Sequence, residues 1–143
     1  MRLQLHNDTK SRLPGKQIRE LFELICEREA KPDWSASVNA VFISDRTMQR
    51  LNKKHRKLDR PTDVLSFNID RPQNVDAVFG EVYISCDTAR RQAAELGSSI
   101  IDEYLRLVCH GLLHLFGYDH KKAADAAGMR QLEEEYLAQL REG

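Results

Sequence analysis

Cysteine is scarce in this chain of 143 residues, and so are long apolar runs. The three cysteines are an odd number without C-x-x-C spacing, which suggests neither a disulfide framework nor a cysteine zinc site. We interpret Cys26, Cys86 and Cys109 as small buried hydrophobic residues. No apolar run reaches the length of a membrane span, and the first eight residues are too polar for the core of a signal peptide. We therefore expect a cytoplasmic protein that does not contact a membrane.

Net charge is also absent, because 22 basic residues balance 22 acidic ones. A neutral chain gives no overall field that would indicate a nucleic-acid binder. The charges are nevertheless uneven, since Asp59 is the one acidic residue in a basic segment from 46 to 60. Such a segment is usually the solvated face of a helix, so it supports nucleic-acid binding only alongside other features. Its basic residues are Arg46, Arg50, Lys53, Lys54, Arg56, Lys57 and Arg60.

The chain shows no repeats, low-complexity tracts or linkers, which predicts a single domain over residues 1–143. Hydrophobic periodicity predicts short strands near residues 3–5, 37–43, 63–67 and 78–84. Helices are predicted at about 16–30, 45–55, 86–96, 99–116 and 124–140. This order indicates an α+β or mixed α/β domain with a four-stranded mixed sheet and about five helices. The fourth helix is apolar nearly all round and should be central and buried.

Three of the five histidines lie between His110 and His120. Residues four apart on a helix share one face, so His110 and His114 can direct imidazole nitrogens at one ion. Gly117 can adopt the left-handed conformation that ends the helix, after which His120 returns to the same point. Three imidazoles suit Zn²⁺ and leave one coordination position open, as in catalytic sites. The spacing predicts one catalytic zinc ion per chain; the alternative is a set of structural histidines in the core.

The same His, His, Gly, His spacing is similar to that of the metzincin zinc proteases. Where those enzymes carry the glutamate that acts as general base, this chain has Gly111. This difference favours hydrolysis of a bond other than the peptide bond. A zincin-type peptidase stays open as an alternative, for which Glu81 is the one candidate base.

Two segments, His110–His120 with its H-G-x-x-H-L-x-G-Y-D-H pattern and 61–67 with P-T-D-V-L-S-F, closely resemble the signatures of the YbeY family. The likeness extends to Asn52-x-x-His55-Arg56 and to the strand around Glu81, and covers most of residues 38 to 137. The family consists of bacterial zinc-dependent single-strand endoribonucleases. Where this chain has His55 and Glu81, the family often has an aromatic residue and an aspartate.

The resemblance implies that His110, His114 and His120 bind zinc and that Arg56 is the basic residue of the active-site cleft. It also implies maturation of the 3′ end of small-subunit (16S) ribosomal RNA and ribosome quality control. The expected partners are single-stranded RNA, with ribosomal small-subunit proteins or a ribosome-assembly GTPase as further candidates.

These residues suggest metal-assisted hydrolysis of an RNA phosphodiester. His114 would act through a water on the zinc, and the Arg56 guanidinium would pair with phosphate oxygens. Lys53, Lys54 and Lys57 would contact the RNA backbone. Asp119 is a candidate to orient a ligand imidazole. A further alternative is a non-catalytic, ribosome-associated zinc-binding module.

Overall fold

The computed structural model describes residues 1–119 and 123–142, and in these ranges it contains four strands and five helices in the predicted order. The strands are β1 (Arg2–Asn7), β2 (Ser37–Ile43), β3 (Val64–Asn68) and β4 (Val78–Ser85). The helices are α1 (Gly15–Glu29), α2 (Asp45–Arg56), α3 (Cys86–Leu96), α4 (Ile100–Leu115) and α5 (Ala123–Glu142). The predicted fold class is confirmed.

The four strands form one mixed sheet in the order β1-β2-β4-β3. β1, β2 and β4 run parallel, whereas β3 runs antiparallel to β4 and forms an edge. β3 and β4 follow each other directly in the chain, so they pair without a crossover helix. The pairing of β2 with β4 shifts register at Ser37/Val38, opposite Phe79. This shift precedes the regular alternation of β4, in which Val82 and Ile84 point to one side and Glu81 and Tyr83 to the other.

The helices cover the two faces of the sheet very unequally. The main core contains apolar residues of α1, α3, α4 and α5 packed against Val38, Phe42 and Val82. A smaller cluster on the opposite face joins α2 to the sheet through Met48 and Leu65. α4 lies at the centre of the main core, as its composition predicted.

A side-chain cap defines the start of α4, and a left-handed residue defines the end of α2. The Ser99 Oγ accepts a hydrogen bond from the Asp102 backbone N–H at 3.0 Å and caps the start of α4. At the end of α2, Lys57 adopts a left-handed conformation with φ 63°.

None of the helices in the described ranges combines the length and the hydropathy needed to cross a lipid bilayer.

Candidate metal centre

α4 presents a single stripe of partly exposed side chains to solvent. From Glu103 to Leu115 every residue of this helix is buried except Arg106, His110 and His114, which follow one another at intervals of four. The Nε2 atoms of His110 and His114 lie 3.2 Å apart. Two nitrogens on one tetrahedral zinc ion, at bond lengths of roughly 2.0–2.1 Å, are separated by about 3.3 Å. The two imidazoles are therefore spaced as ligands of a common ion.

The turn after α4 has the geometry that the sequence predicted. Gly117 has φ +101°, its N–H donates to the His114 carbonyl, and the Tyr118 N–H donates to the Leu113 carbonyl. This pair of bonds is the Schellman motif, which ends a helix and redirects the chain. The predicted third ligand, His120, lies outside the described residues and stays a prediction. Within the described residues, no three His, Cys, Asp or Glu side chains converge as a metal-binding group.

Glu133 on α5 contacts the candidate ligand His110, which sequence reasoning did not predict. Its Oε1 lies 2.5 Å from Nδ1 of His110, and its side chain is only 7% exposed. A carboxylate accepting the Nδ1–H of a histidine fixes the tautomer that leaves the Nε2 lone pair for a metal. Periodicity indicated only that α5 is amphipathic, with Glu133 among a run of three glutamates. The feature of the sequence that could have indicated a buried Glu133 is its position beside Leu132 and Tyr136 on the apolar side of the helix.

Three other residues near the histidines have distinct surroundings. Cys109 is fully buried, and burial, with the nearby Glu133 carboxylate, raises the pKa of its thiol far above the usual value. A protonated, buried thiol agrees with the interpretation of Cys109 as a small buried hydrophobic residue. The Tyr118 hydroxyl donates to the Glu29 carboxylate at 2.9 Å, which ties the turn to the end of α1. Asp119 is exposed, and its predicted role in orienting a ligand stays a prediction.

The two histidines open into a cleft of about 620 Å³ that also includes Arg56. Arg56 reaches it from the last turn of α2, so the structure brings together the arginine and the imidazoles that the sequence singled out. The three lysines of the basic segment do not line this cleft; Lys53 lies 3.8 Å from the Asp59 carboxylate and Lys54 is exposed. The residues around the cleft are Arg56, Thr62, Asp63, Val64, Leu65, Ser66, Asn68, His110 and His114.

The edge strand β3 fixes α4 beside the cleft. The Ser66 Oγ donates to the Gly111 carbonyl at 3.0 Å, and the Asn68 Nδ2 donates to the Leu115 carbonyl at 2.9 Å. Asp63 accepts hydrogen bonds from the Val64 N–H and the Gln92 side chain, which fix the start of the strand. The P-T-D-V-L-S-F segment therefore forms one wall of the cleft and holds the histidine helix in register with it.

Neither of the two positions considered for a zincin-type general base supplies one in the cleft. A Cβ on Gly111 would lie 2.4 Å from Cγ1 of the buried Val82, so any side chain at this position would force its neighbours to shift. Glu81, the proposed substitute, projects from the sheet face opposite α4, where Asn39 and Tyr83 donate hydrogen bonds to it. It does not line the cleft. The geometry therefore disfavours the peptidase alternative.

Fold and cleft together define an α/β protein with two convergent imidazoles and an arginine, an arrangement typical of metal-dependent hydrolases. Residues 4–141 match the family model described as Endoribonuclease YbeY. A Chloroherpeton thalassium protein named Endoribonuclease YbeY is 39% identical over 140 residues, covering 98% of this chain and 96% of that protein. The Aquifex aeolicus protein of the same name is 46% identical over 103 residues, covering 71% of this chain and 69% of its own.

A solution structure of a Thermotoga maritima protein superimposes with a TM-score of 0.67 at 27% identity, covering 96% of this chain and 88% of that one. The chain belongs to the YbeY family of endoribonucleases. The predicted family and the predicted class of enzyme are thereby confirmed.

Proposed function

We propose that this chain is a zinc-dependent endoribonuclease that cleaves single-stranded RNA in the cleft between α4 and β3. We include in the proposal a cytoplasmic location and the maturation of the 3′ end of small-subunit ribosomal RNA, with a role in ribosome quality control. The observation that carries the proposal is the 3.2 Å separation of two imidazole nitrogens in a cleft shared with Arg56. We also take the whole chain to act as one domain.

The donor set fits a zinc ion. His110 and His114 offer nitrogens at ligand spacing, and Glu133, by accepting the Nδ1–H, would hold His110 in the tautomer that coordination needs. His120 would complete the set. When bound, zinc supplies Lewis-acid chemistry and activates water near neutral pH, so Gly111 need not be replaced by a carboxylate base.

Arg56 supplies the cation that a phosphodiester requires in the same cleft. Its planar guanidinium can donate two parallel hydrogen bonds to the non-bridging phosphate oxygens and offset the charge that grows there during hydrolysis. Lys53, Lys54 and Lys57 lie near it in sequence, and would add salt-dependent contacts with the RNA backbone outside the cleft. Single-stranded RNA suits an open cleft because its backbone can bend to present one phosphate.

The decisive experiment combines zinc analysis with cleavage of a labelled, unstructured oligoribonucleotide. The variants are His114→Ala and Arg56→Ala, and Arg46→Ala is the matched control because Arg46 is exposed at the other end of the same helix. We expect His114→Ala to lose both zinc and cleavage. Arg56→Ala should retain zinc and lose roughly a hundredfold or more in cleavage rate, as when one transition-state donor is removed. Arg46→Ala should match the wild type.

Each alternative predicts a different result in the same assays. Cleavage by His114→Ala with undiminished zinc would refute the proposal. RNA binding without cleavage by any form would indicate a binding module, and chelator-sensitive degradation of casein would indicate a peptidase.

A further inference from the structure

Among residues 1–119 and 123–142, one face of the sheet is covered by a helix only at one end. In the described ranges, α2 is the helix that packs on this face, through Met48 and Leu51. The strand register places four residues in one row across the rest of the face, and none of them is fully buried. The row runs from β1 to β3 through Gln4, Asn39, Glu81 and Phe67.

Three rings stand side by side where this face meets the edge strand. The ring centroids of His55 and Phe67 are 4.8 Å apart, and those of Phe67 and Tyr83 are 6.0 Å apart. The His55 side chain is exposed, and Phe67 and Tyr83 are half-buried. We call His55, Phe67 and Tyr83 the ring row. Phe67 and Tyr83 pack against the smaller core cluster, and the parts of the ring row that stay exposed offer aromatic surface beside it.

The ring row and the cleft are the two sides of the same edge strand. Ser66 and Asn68 line the cleft, whereas Phe67 between them points to the opposite face, because strand side chains alternate. His55 directly precedes Arg56, which lines the cleft. A polymer held at Arg56 therefore has to round only this edge strand to reach the rings.

The charges around the ring row favour a nucleic acid as its ligand. Lys54 and Arg50 are exposed on the helix that carries His55. Glu81 adds a carboxylate, but the Asn39 amide at 3.1 Å and the Tyr83 hydroxyl at 2.9 Å donate to it. Bases stack on aromatic rings while lysine and arginine contact the phosphates, which is how single strands are bound on open sheets.

We propose that the ring row is a base-stacking subsite for a nucleotide that flanks the scissile phosphate of single-stranded RNA. This inference rests on the proposed function, since it places the scissile phosphate at Arg56. It assigns to His55 and Phe67 the binding of substrate, not the cleavage step.

The test is stopped-flow binding of an oligoribonucleotide carrying a single 2-aminopurine, whose fluorescence is quenched by stacking, read before cleavage proceeds. We expect His55→Ala to weaken binding and raise KM about ten-fold, with kcat little changed and quenching reduced. His55→Tyr should restore both, because it restores a ring. Phe67→Leu should resemble His55→Ala. The matched control is His6→Ala, an exposed histidine on the same sheet face at the far edge strand, which should behave as the wild type.

Unchanged affinity and quenching in both His55→Ala and Phe67→Leu would overturn the proposal. If these variants differ from the wild type in sedimentation coefficient but not in RNA affinity, the proposal is also overturned, because the face would then bind a second copy of the chain. A protein that stacks the probe but cleaves no RNA would refute the proposed function alone. Cleavage with an unaltered KM in both His55→Ala and Phe67→Leu would refute the stacking subsite alone.

Discussion

Glu133→Gln tests whether the buried Glu133 carboxylate controls zinc binding through His110, whose imidazole ring would lie between the carboxylate and the ion. The Glu133 side chain is 7% exposed, and its Oε1 lies 2.5 Å from Nδ1 of His110. Glutamine has nearly the same shape, so the packing of α5 on α4 is retained while the charge is removed. The amide oxygen can still accept the Nδ1–H, although a charge-assisted hydrogen bond is about twice as strong as a neutral one.

The expected loss of zinc affinity follows from these contacts. Removing a residue that orients a metal ligand typically costs about 10- to 100-fold in affinity, which is about 1.4 to 2.8 kcal/mol. Because glutamine keeps one weaker bond, we expect about ten-fold for Glu133→Gln. We expect about a hundred-fold for Glu133→Ala, because alanine at this position, where the wild-type side chain is 7% exposed, removes the acceptor of the His110 Nδ1–H altogether.

The assay is competition for zinc with a chromophoric chelator at fixed pH, together with urea unfolding of the metal-free protein. The metal-free stability of Glu133→Gln should stay within about 1 kcal/mol of wild type, since the variant removes a desolvated charge and weakens, without abolishing, its hydrogen bond to His110. Glu134→Gln, at the exposed neighbouring position, is the control. If Glu133→Gln binds zinc as tightly as Glu134→Gln and the wild type, Glu133 does not orient a ligand and the reasoning is wrong.

Three further predictions concern the stability of the folded chain. Gly111→Ala should lower the free energy of unfolding in urea by about 1–2 kcal/mol, because overpacking against Val82 at 2.4 Å outweighs a helix-propensity gain of about 1 kcal/mol. Lys57→Gly should raise it by about 0.5–1 kcal/mol by relieving the left-handed backbone at φ 63°, whereas Lys57→Gln should not. Burial opposes ionisation of Asp45, but hydrogen bonds from neighbours including Arg91 outweigh burial and lower its pKa. Its stabilisation should therefore be complete above the unfolded-state pKa of about 3.9 and decline as the pH falls through the folded pKa, and acid titration of Asp45→Asn should lack this decline.

The sequence alone determined the features that depend on local periodicity. The pairing of His110 with His114 follows from the helical repeat, and the turn at Gly117 follows from the conformational freedom of glycine. The order of strands and helices was also predictable, because alternation and amphipathic spacing are read over a few residues. The family resemblance indicated Arg56, although nothing in its local surroundings did.

Only the tertiary structure decided which distant residues meet the histidines. Glu133 follows His110 by 23 positions and reaches it because α5 packs across α4. The alternation of β4 separates Glu81 from Val82, but sequence could not say which face the histidine helix would cover. The same packing explains Gly111, which the sequence presented as a missing base and the structure shows as a close contact with Val82. Local spacing is fixed by backbone geometry, whereas these contacts depend on how the helices and strands pack against one another. That packing is determined by all the side chains of the core together.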